Sequence, residues 1–368
     1  MKILINCSNL RQGGGIQVAD SICSYLEKYK AHQFFVVLST ALKHIEQRIG
    51  DYYNVSLVHY DFPKTLKSSL LQRDSYLDNL VDKEKIDVVL TVFGPARWRP
   101  RVPHLCGFAR AHILPMDTPY FDNLPVKDKV LNYIVKKSFE KSAEYYWTEN
   151  PAVTTLLQQV FPTKKVYTVS NTYNQVFDDF SKWKEHKLPP FRGITLLTVT
   201  NAYPHKNLGL ALGIAKELKR LDPEFRFRFA FTIDEGEFLE IPTELKECFC
   251  FIGKVDISEC PSLYQQADIM FQPTLLECFT ATYAEAMRME VPIVTTTLSF
   301  AKGLCQEAAL YFSPLSAKEA ADCIYQLSMK PDMRRELVEK GKNQLLKFST
   351  AQERADKLIS ILEEVARK

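Results

Sequence analysis

The sequence predicts an α/β protein made of two doubly wound domains, each built on a parallel sheet. A length of 368 residues exceeds what one ordinary hydrophobic core accommodates and suits two domains. Short apolar runs alternate with helical stretches, which favours parallel strands joined by crossover helices. A charged segment with two prolines, KWKEHKLPPFRG at 182–193, interrupts this alternation before it starts again, so it is interpreted as the interdomain linker.

Six apolar runs in the first half are predicted to be buried strands: KILINCS, FFVVLS, IDVVLTVF, HLCGFA, EYYWTEN and KVYTVSN. The first helix, GIQVADSICSYLEKY, follows a glycine turn at 13–15. A long basic helix is expected over about 126–145. We therefore expect residues 1–187 to form the first domain.

The second half repeats the pattern with ITLLTVT, RFRFAFTI, CFCFIG, ADIMFQP, VPIVTTT and ALYFSP as strands. Helices are predicted in NLGLALGIAKELKRL and from about residue 281. The last helix should run from about Ser349 to Arg367, with Ser349 or Thr350 as its N-cap. This organisation gives a second domain at 188–347 and a terminal helix at 348–368. Ligands of such sheets bind beyond the carboxyl ends of the strands, which predicts a site in the cleft between the domains.

Composition excludes several classes of protein. A hydrophobic content of 46% with 25% charged residues is typical of globular domains. There is no run of eighteen apolar residues, and the first fifteen residues contain only a three-residue apolar stretch, so neither a membrane span nor a signal peptide is expected. Nine scattered cysteines without a CxxC pair argue against a disulfide framework and a zinc site. We expect a cytoplasmic protein that does not bind nucleic acid, because its basic residues form no recognisable module.

Two loops that follow predicted strands suit phosphate groups. Gly14 and Gly15 open the first helix, where backbone amides can face an anion, although a flexible turn is the simpler interpretation. The turn is neither GxGxxG nor a P-loop, which weighs against a nicotinamide oxidoreductase and a P-loop kinase. Lys206 lies between a strand and a helix of the second domain and can reach a diphosphate there, although a surface lysine is usually only solvated.

The stretch PTLLECFTATYAEAMRMEVPIV at 273–294 carries the strongest signal. Its helix should begin near Thr280 or Ala281, and the free amides of these residues and of Thr282 would suit phosphate oxygens. Glu285, within the helix, can accept two hydrogen bonds from a ribose diol. Glu277, in the loop before the helix, can reach a sugar hydroxyl. The alternative is two solvated carboxylates.

Together these segments resemble the retaining glycosyltransferases of family 4, whose GT-B architecture has two Rossmann-like domains facing a central cleft. The similarity rests on VTNAYPHKN, FIGKVDISECPSLYQQADIMFQPT, the E-x7-E motif ECFTATYAE and VPIVTTTLSFAKGLCQEAALYFSP, over about residues 195–325. The glycine turn and KVYTVSNTYNQVFD match more loosely. The resemblance implies that the first domain binds the acceptor, that the second binds the nucleotide sugar, and that the last helix crosses back to the first.

Residue roles follow from the resemblance by position. Glu285 would hold the nucleotide ribose, Glu277 a hydroxyl of the donor sugar, and Lys206 the diphosphate. Gly253 and Lys254 would line the base. The motif also brings Phe279, with the amides of the three residues that follow it, to the donor. The family often places a histidine of the first domain near the donor sugar, but by spacing from Pro103 the matching position is Ala109. Arg110 and His112 are the nearest polar candidates, and His112 is preferred.

Three departures from the family pattern stand out. Asn201 replaces the arginine expected beside the diphosphate, and Cys278 and Thr280 replace the glycines that usually flank Phe279. The segment RFAFTIDEGEF lacks the family's glycine-rich turn. These changes leave two alternatives open beside glycosyl transfer, namely a sugar-nucleotide epimerase of GT-B architecture and a non-catalytic nucleotide-sugar-binding protein.

The implied reaction moves a sugar from a nucleotide diphosphate to a glycan or lipid-linked acceptor with retention, in cell-surface polysaccharide synthesis. No cofactor or metal is expected beyond the nucleotide-sugar substrate, because no DxD-like motif ends a strand. The basic helix groups Val130, Leu131, Ile134 and Val135 near one face, among Lys127, Lys136, Lys137 and Lys141. This pattern is compatible with a helix that lies on anionic lipid at the inner face of the membrane. An ordinary crossover helix with a solvated basic face is the simpler interpretation.

Overall fold

The computed structural model describes residues 1–11, 13–63 and 71–367. The chain divides into two compact units. Unit 1 comprises Met1–Met116, Leu124–Thr172 and Ser349–Lys368, and unit 2 comprises Asp117–Asn123 and Tyr173–Phe348.

Both units are built on parallel sheets. In chain order the strands are β1 Lys2–Cys7, β2 Gln33–Leu38, β3 Val55–His59, β4 Val88–Thr91, β5 His104–Gly107, β6 Tyr145–Thr148, β7 Lys165–Thr168, β8 Ile194–Thr198, β9 Phe227–Phe231, β10 Phe249–Phe251, β11 Ile269–Gln272, β12 Ile293–Thr296 and β13 Ala309–Phe312. The sheet of unit 1 has the order β3-β2-β1-β4-β5-β6-β7, and that of unit 2 has the order β10-β9-β8-β11-β12-β13. Each order reverses direction beside the first strand of its unit, as in doubly wound folds. The predicted fold class is confirmed.

The α-helices of the described residues connect these strands. In chain order they are α1 Gly14–Cys23, α2 Lys43–Ile49, α3 Ser75–Glu84, α4 Val126–Ser142, α5 Pro151–Val160, α6 Leu210–Leu221, α7 Cys260–Gln265, α8 Ala281–Arg288, α9 Ser299–Cys305, α10 Ala317–Met329, α11 Pro331–Leu345 and α12 Ala351–Ala366. Helices cover both faces of each sheet, which is why strands such as β4, β5, β9, β11 and β12 are buried along their whole length. None of these helices is both long and apolar enough to cross a bilayer.

The C-terminal helix α12 belongs to unit 1. It begins with a capping box, in which the Thr350 side chain accepts a hydrogen bond from the Glu353 amide and the Glu353 carboxylate accepts one from the Thr350 amide. Leu358 and Leu362 on its apolar face are fully buried in the core of unit 1. Burial of this face therefore anchors the chain terminus to the first sheet.

The units divide earlier in the chain than the predicted boundary at residue 187. Val176 and Phe177, before the proposed linker, are buried in a core cluster of unit 2 together with Leu188. The segment 173–192 is therefore packed chain in unit 2 rather than a free connection. A separate segment, 117–123, also belongs to unit 2, although it lies in the first half of the chain.

Two local expectations need correction. Strand β3 was not predicted, because none of the residues in this edge strand is fully buried and it forms no long apolar run. In α4 the predicted apolar face is not one surface: Val135 is buried, whereas Val130 and Leu131 are exposed. The side of α4 that packs on unit 1 is thus separate from the side that carries exposed apolar residues.

Candidate active site in unit 2

Lys206 and Glu277 form an ion pair at the carboxyl edge of the sheet in unit 2. Lys206 follows β8 and Glu277 follows β11, and these strands are neighbours in the sheet. Lys206 Nζ lies 2.5 Å from Glu277 Oε1, and the two side chains are only 16% and 12% exposed. Low exposure reduces screening by solvent, so this pair interacts more strongly than surface pairs do.

Further hydrogen bonds fix the two loops relative to each other. Leu275 donates its backbone amide to the carbonyl of His205 at 2.7 Å. The Thr274 hydroxyl lies 2.9 Å from Glu277 Oε1, where it donates to the carboxylate. Oε1 thus receives both Lys206 and Thr274, while Oε2 of Glu277 accepts no hydrogen bond from the described residues. The carboxylate keeps an acceptor for a further donor such as a sugar hydroxyl.

Helix α8 begins at Ala281, as predicted, and its N-terminus is not capped by a side chain. Thr280 is the N-cap residue and makes no side-chain cap hydrogen bond. The hydroxyls of Thr280 and Thr282 are buried without a partner, as is Nε2 of Gln272 at the end of β11. Buried polar groups nearly always have partners in native proteins. Together with the unpaired first amides of a helix, these atoms indicate a polar ligand or water at this place.

Glu285 lies in the second turn of α8 and is almost fully buried. Tyr264 Oη donates a hydrogen bond to Glu285 Oε2 at 3.0 Å. Burial raises the pKa of Glu285 to about 7, and the Tyr264 hydrogen bond opposes this rise. No cation among the described residues pairs with this carboxylate. A titrating acid of this kind is a candidate for a functional role.

The remaining predicted residues of unit 2 are Gly253, Lys254, Asn201 and Phe279. Gly253 has φ +76°, which requires glycine, and lies beside Asp234; Lys254 is exposed. Asn201 is also exposed. Phe279 packs edge-on against Phe348 with ring centroids 6.2 Å apart, so it supports the core beneath the motif.

The other predicted residues lie in unit 1. Gly14 and Gly15 open α1, which lacks a side-chain cap, and Gly13 before them has φ +77°. His112 is half-buried in a short 3-10 turn, Ala111–Ile113, after β5. His104, the first residue of β5, is buried; its ring lies 2.8 Å from Thr91 Oγ1 and 2.7 Å from the Ser142 carbonyl. Burial lowers the pKa of His104 to about 4, as expected for a neutral core histidine.

The sequence patterns missed residues that reach this site from the first half of the chain. Thr118 donates its hydroxyl to the Leu275 carbonyl at 2.6 Å, just before Glu277. The Tyr120 ring meets the His205 ring edge-on at 6.1 Å, next to Lys206. Neither residue belongs to a recognisable motif. They lie at this site because the segment 117–123 is part of unit 2.

A cavity of about 800 Å³ opens in unit 2 on the side of β12 and β13. Its lining residues are Asp117, Pro119, Thr297, Leu298, Ser299, Lys302, Ser313, Pro314, Leu315 and Ser316. Asn207, next to Lys206, donates to the Pro314 carbonyl at 3.3 Å, so the cavity adjoins the lysine loop. Within the described ranges, no group of three or more His, Cys, Asp or Glu side chains is arranged to hold a metal.

Comparison with known proteins agrees with this architecture. Residues 179–344 match the family model described as "Glycosyl transferases group 1". No curated protein matches the chain in sequence. A glycosyltransferase from Rickettsia africae is 15% identical with a TM-score of 0.69, and the alignment covers 99% of this chain and 98% of that one.

Two further solved structures share the fold. Sucrose-phosphate synthase from Thermosynechococcus elongatus is 12% identical with a TM-score of 0.71, covering 99% of this chain and 98% of that one. A trehalose-6-phosphate structure from E. coli, bound with UDP-2-fluoro glucose, is 9% identical with a TM-score of 0.64, covering 98% and 99%. At these identities the structures establish the fold alone, while the family match supports glycosyl transfer. The resemblance seen in the sequence is therefore confirmed: the chain has the GT-B fold, and its segment 179–344 matches the family model of the glycosyl transferases of group 1.

Proposed function

We propose that this protein is a retaining glycosyltransferase that moves a sugar from a nucleotide-diphosphate donor to a glycan or lipid-linked acceptor in cell-surface polysaccharide synthesis. The observation that carries the proposal is the Lys206–Glu277 pair at the carboxyl edge of unit 2. A cation and a carboxylate with a free oxygen at this edge suit a diphosphate and a sugar hydroxyl, respectively.

The donor diphosphate is assigned to Lys206 and the N-terminus of α8. Lys206 has three N–H donors, of which one is directed at Glu277, so two can reach phosphate oxygens. The unpartnered hydroxyls of Thr280 and Thr282 supply further donors beside the helix amides. Glu285 accepts from the ribose diol, and the departure at Asn201 leaves Lys206 as the main cation of unit 2 at this place.

In the proposed reaction the acceptor oxygen forms a bond to the anomeric carbon while the bond from that carbon to the diphosphate oxygen breaks. The acceptor proton passes to the leaving phosphate, and attack on the same face retains the anomeric configuration. Negative charge grows on the diphosphate in this step, where Lys206 and the α8 amides stabilise it. Preorganised donors aimed at developing charge commonly supply the largest part of such catalysis.

A panel of nucleotide sugars tests the class of reaction. Thermal-shift screening with UDP, GDP and ADP sugars identifies the donor, since a ligand that binds only the folded state raises the melting temperature. Slow release of free sugar from that donor is the expected result. An isomerised donor would instead assign an epimerase, and binding with no turnover in the presence of candidate acceptors would assign a nucleotide-sugar-binding protein.

Lys206→Ala tests the assignment of the diphosphate. Loss of one preorganised donor costs about 2.7–4 kcal/mol in the barrier, so turnover should fall about 10²- to 10³-fold. Lys216→Ala, at an exposed lysine on α6, is the matched control and should keep full turnover. Wild-type turnover in Lys206→Ala would contradict the proposed role.

We also propose that α4 binds the anionic inner face of the membrane. Three exposed residues follow one another at helical spacing, Val126 at 75%, Val130 at 53% and Tyr133 at 61% exposure. Lys127, Lys129, Lys137 and Lys141 are exposed on the same helix. Apolar residues flanked by lysines are typical of helices that lie in a lipid interface. This contact would bring the enzyme to a lipid-linked acceptor.

Sedimentation with vesicles tests this contact. The wild type should bind phosphatidylcholine vesicles only when they contain phosphatidylglycerol, and salt should weaken the binding. Val130→Glu should reduce the bound fraction, whereas Leu239→Glu, at a similarly exposed leucine in unit 2, should not. Equal binding by all three proteins would argue that α4 is an ordinary crossover helix with a solvated face.

A further inference from the structure

Unit 1 carries two arginines at the carboxyl edge of its sheet. Arg97 follows β4 and Arg110 follows β5, and these strands are paired neighbours. The segments are joined just before the arginines, because the Gly94 amide donates to the Gly107 carbonyl at 2.7 Å. Both side chains therefore start from the edge at which parallel sheets bind ligands.

The backbone holds Arg97 in an uncommon conformation. Its φ is +53°, in the left-handed region that residues other than glycine rarely adopt. Ala96 and Trp98 on either side are fully buried, and Trp98 Nε1 donates to Asp78 Oδ1 at 2.9 Å. Such a conformation persists where the surroundings fix it, and residues of this kind cluster at binding sites.

The two arginines lack counter-ions. Arg99, from the same loop as Arg97, pairs with Glu144 at 2.6 Å, but no carboxylate within the described ranges pairs with Arg97 or Arg110. Nε of Arg110 is buried without a hydrogen-bond partner. The residues outside the described ranges, Gln12, the segment 64–70 and Lys368, have no acidic side chain.

Positive charge at this place is disfavoured in the absence of a ligand. Burial and the nearby charge of Arg110 both lower the pKa of Arg97. Even a half-buried charge without a partner loses hydration, and an anion that approached both guanidinium groups would offset this loss. An anionic ligand would therefore supply the ion pair that these two guanidinium groups lack.

We propose that Arg97 and Arg110 form an anion subsite that binds a phosphoryl group of the acceptor. Guanidinium groups match phosphate oxygens in pairs, and two of them complement the double negative charge of a phosphate monoester. The assignment to the acceptor rests on the proposed function, in which unit 1 binds that substrate. The phosphoryl group belongs to a sugar phosphate or to a lipid phosphate head group, which share this chemistry.

Calorimetric titration of the full chain without nucleotide tests the subsite. The probes are inorganic phosphate, glucose 6-phosphate, glucose and a short-chain phosphatidic acid kept below its micelle concentration. Phosphate monoesters should bind and glucose should not. Arg97→Gln and Arg110→Gln should each weaken binding about tenfold or more, as loss of a charge-assisted hydrogen bond does. Arg99→Gln, whose arginine already has a carboxylate partner, should bind like the wild type.

The outcomes separate this inference from the proposed function. Preference for glucose 6-phosphate assigns a sugar phosphate, and preference for phosphatidic acid assigns a lipid. Donor hydrolysis with no phosphate binding by the wild type overturns the subsite and leaves the transferase in place. A loss of phosphate binding in Arg99→Gln as large as in Arg97→Gln and Arg110→Gln has the same meaning. Phosphate binding that depends on Arg97 and Arg110 in a protein without donor turnover supports the subsite and removes the transferase assignment.

Discussion

Each unit buries one glutamate near the carboxyl edge of its sheet, but the two carboxylates are held differently. Glu149 directly follows β6 in unit 1, and Glu285 lies on α8 in unit 2. Burial raises the pKa of each to about 7. The positive charge of Arg354 opposes the shift at Glu149, whereas only the hydroxyl of Tyr264 opposes it at Glu285.

The difference separates a structural acid from a functional one. Arg354 on α12 is buried, and its guanidinium group also donates to Asn171 Oδ1, so Glu149 has a cation supplied by the chain itself. This cluster ties the C-terminal helix to the sheet of unit 1. Glu285 has no such cation, and this absence distinguishes the two acids, because Oε1 accepts no hydrogen bond from the described residues in either of them. The acceptor capacity of Glu285 is therefore open to a ligand.

The largest effect should come from removing the cation near Glu149 in unit 1. Arg354→Met leaves the Glu149 charge buried without a cation, which should lower the free energy of unfolding of unit 1 by up to about 3–5 kcal/mol at a pH above 7, where Glu149 is ionised. Urea unfolding followed by the fluorescence of Trp98 and Trp147, both buried in unit 1, measures this. The double variant Arg354→Met/Glu149→Gln should recover most of the lost free energy of unfolding. If the double variant lost as much as the single variant, the two charges would not interact.

The next largest effect is on binding of the nucleotide sugar, and it compares the same substitution, glutamate to glutamine, at Glu285 and at Glu149. Glu285→Gln removes the charged acceptor of the ribose diol and should weaken binding of the nucleotide sugar about 10- to 100-fold, or 1.4–2.8 kcal/mol, as expected for charge-assisted hydrogen bonds. Glu149→Gln should leave this affinity unchanged. Calorimetric titration with the nucleotide sugar found by thermal shift measures both, and equal losses would remove the distinction between the two acids.

The pH dependence sharpens the comparison. The folded pKa of Glu285, about 7, lies above the ordinary glutamate value of 4.5, so the folded state binds more protons and stability should fall as pH rises from about 4.5 to about 7. Donor affinity should change in the opposite direction, increasing about tenfold between about pH 6 and pH 8 as the carboxylate ionises. Titrations across this range should show the increase in the wild type and a flat profile in Glu285→Gln. An affinity that falls with pH would contradict the role of an ionised acceptor.

The smallest effect concerns the partner of Glu285. Tyr264→Phe removes the hydroxyl that lowers the pKa of this carboxylate, so the midpoint of the affinity profile should move to higher pH. The affinity at high pH should fall by about 1 kcal/mol or less. Tyr283→Phe, whose hydroxyl is bonded to Thr295 and not to Glu285, is the control. An unchanged midpoint in Tyr264→Phe would show that the hydrogen bond does not set the acidity of Glu285.

The sequence predicted the features that depend on local pattern. All six strands of the second sheet were predicted, and most of them appear as apolar runs because strands buried on both faces carry few polar residues. The start of α8 and the capping of α12 by Thr350 also follow from a few neighbouring residues. The edge strand β3 was missed because it has only partial burial to impose a pattern.

By itself, the sequence determined the fold class, the order of the elements and the motif that contains Glu277 and Glu285. Only the tertiary structure decided which charges have partners: Lys206 pairs with Glu277, Glu149 lies near the positive charge of Arg354, and Arg97 and Arg110 pair with no carboxylate in the described part of the chain. Helix and strand periodicity arises from hydrogen bonding and burial over a few neighbouring residues, so it is visible along the sequence. Electrostatic partners are brought together by loops far apart in sequence, and the energy of their interaction depends on a burial that exists only in the folded chain.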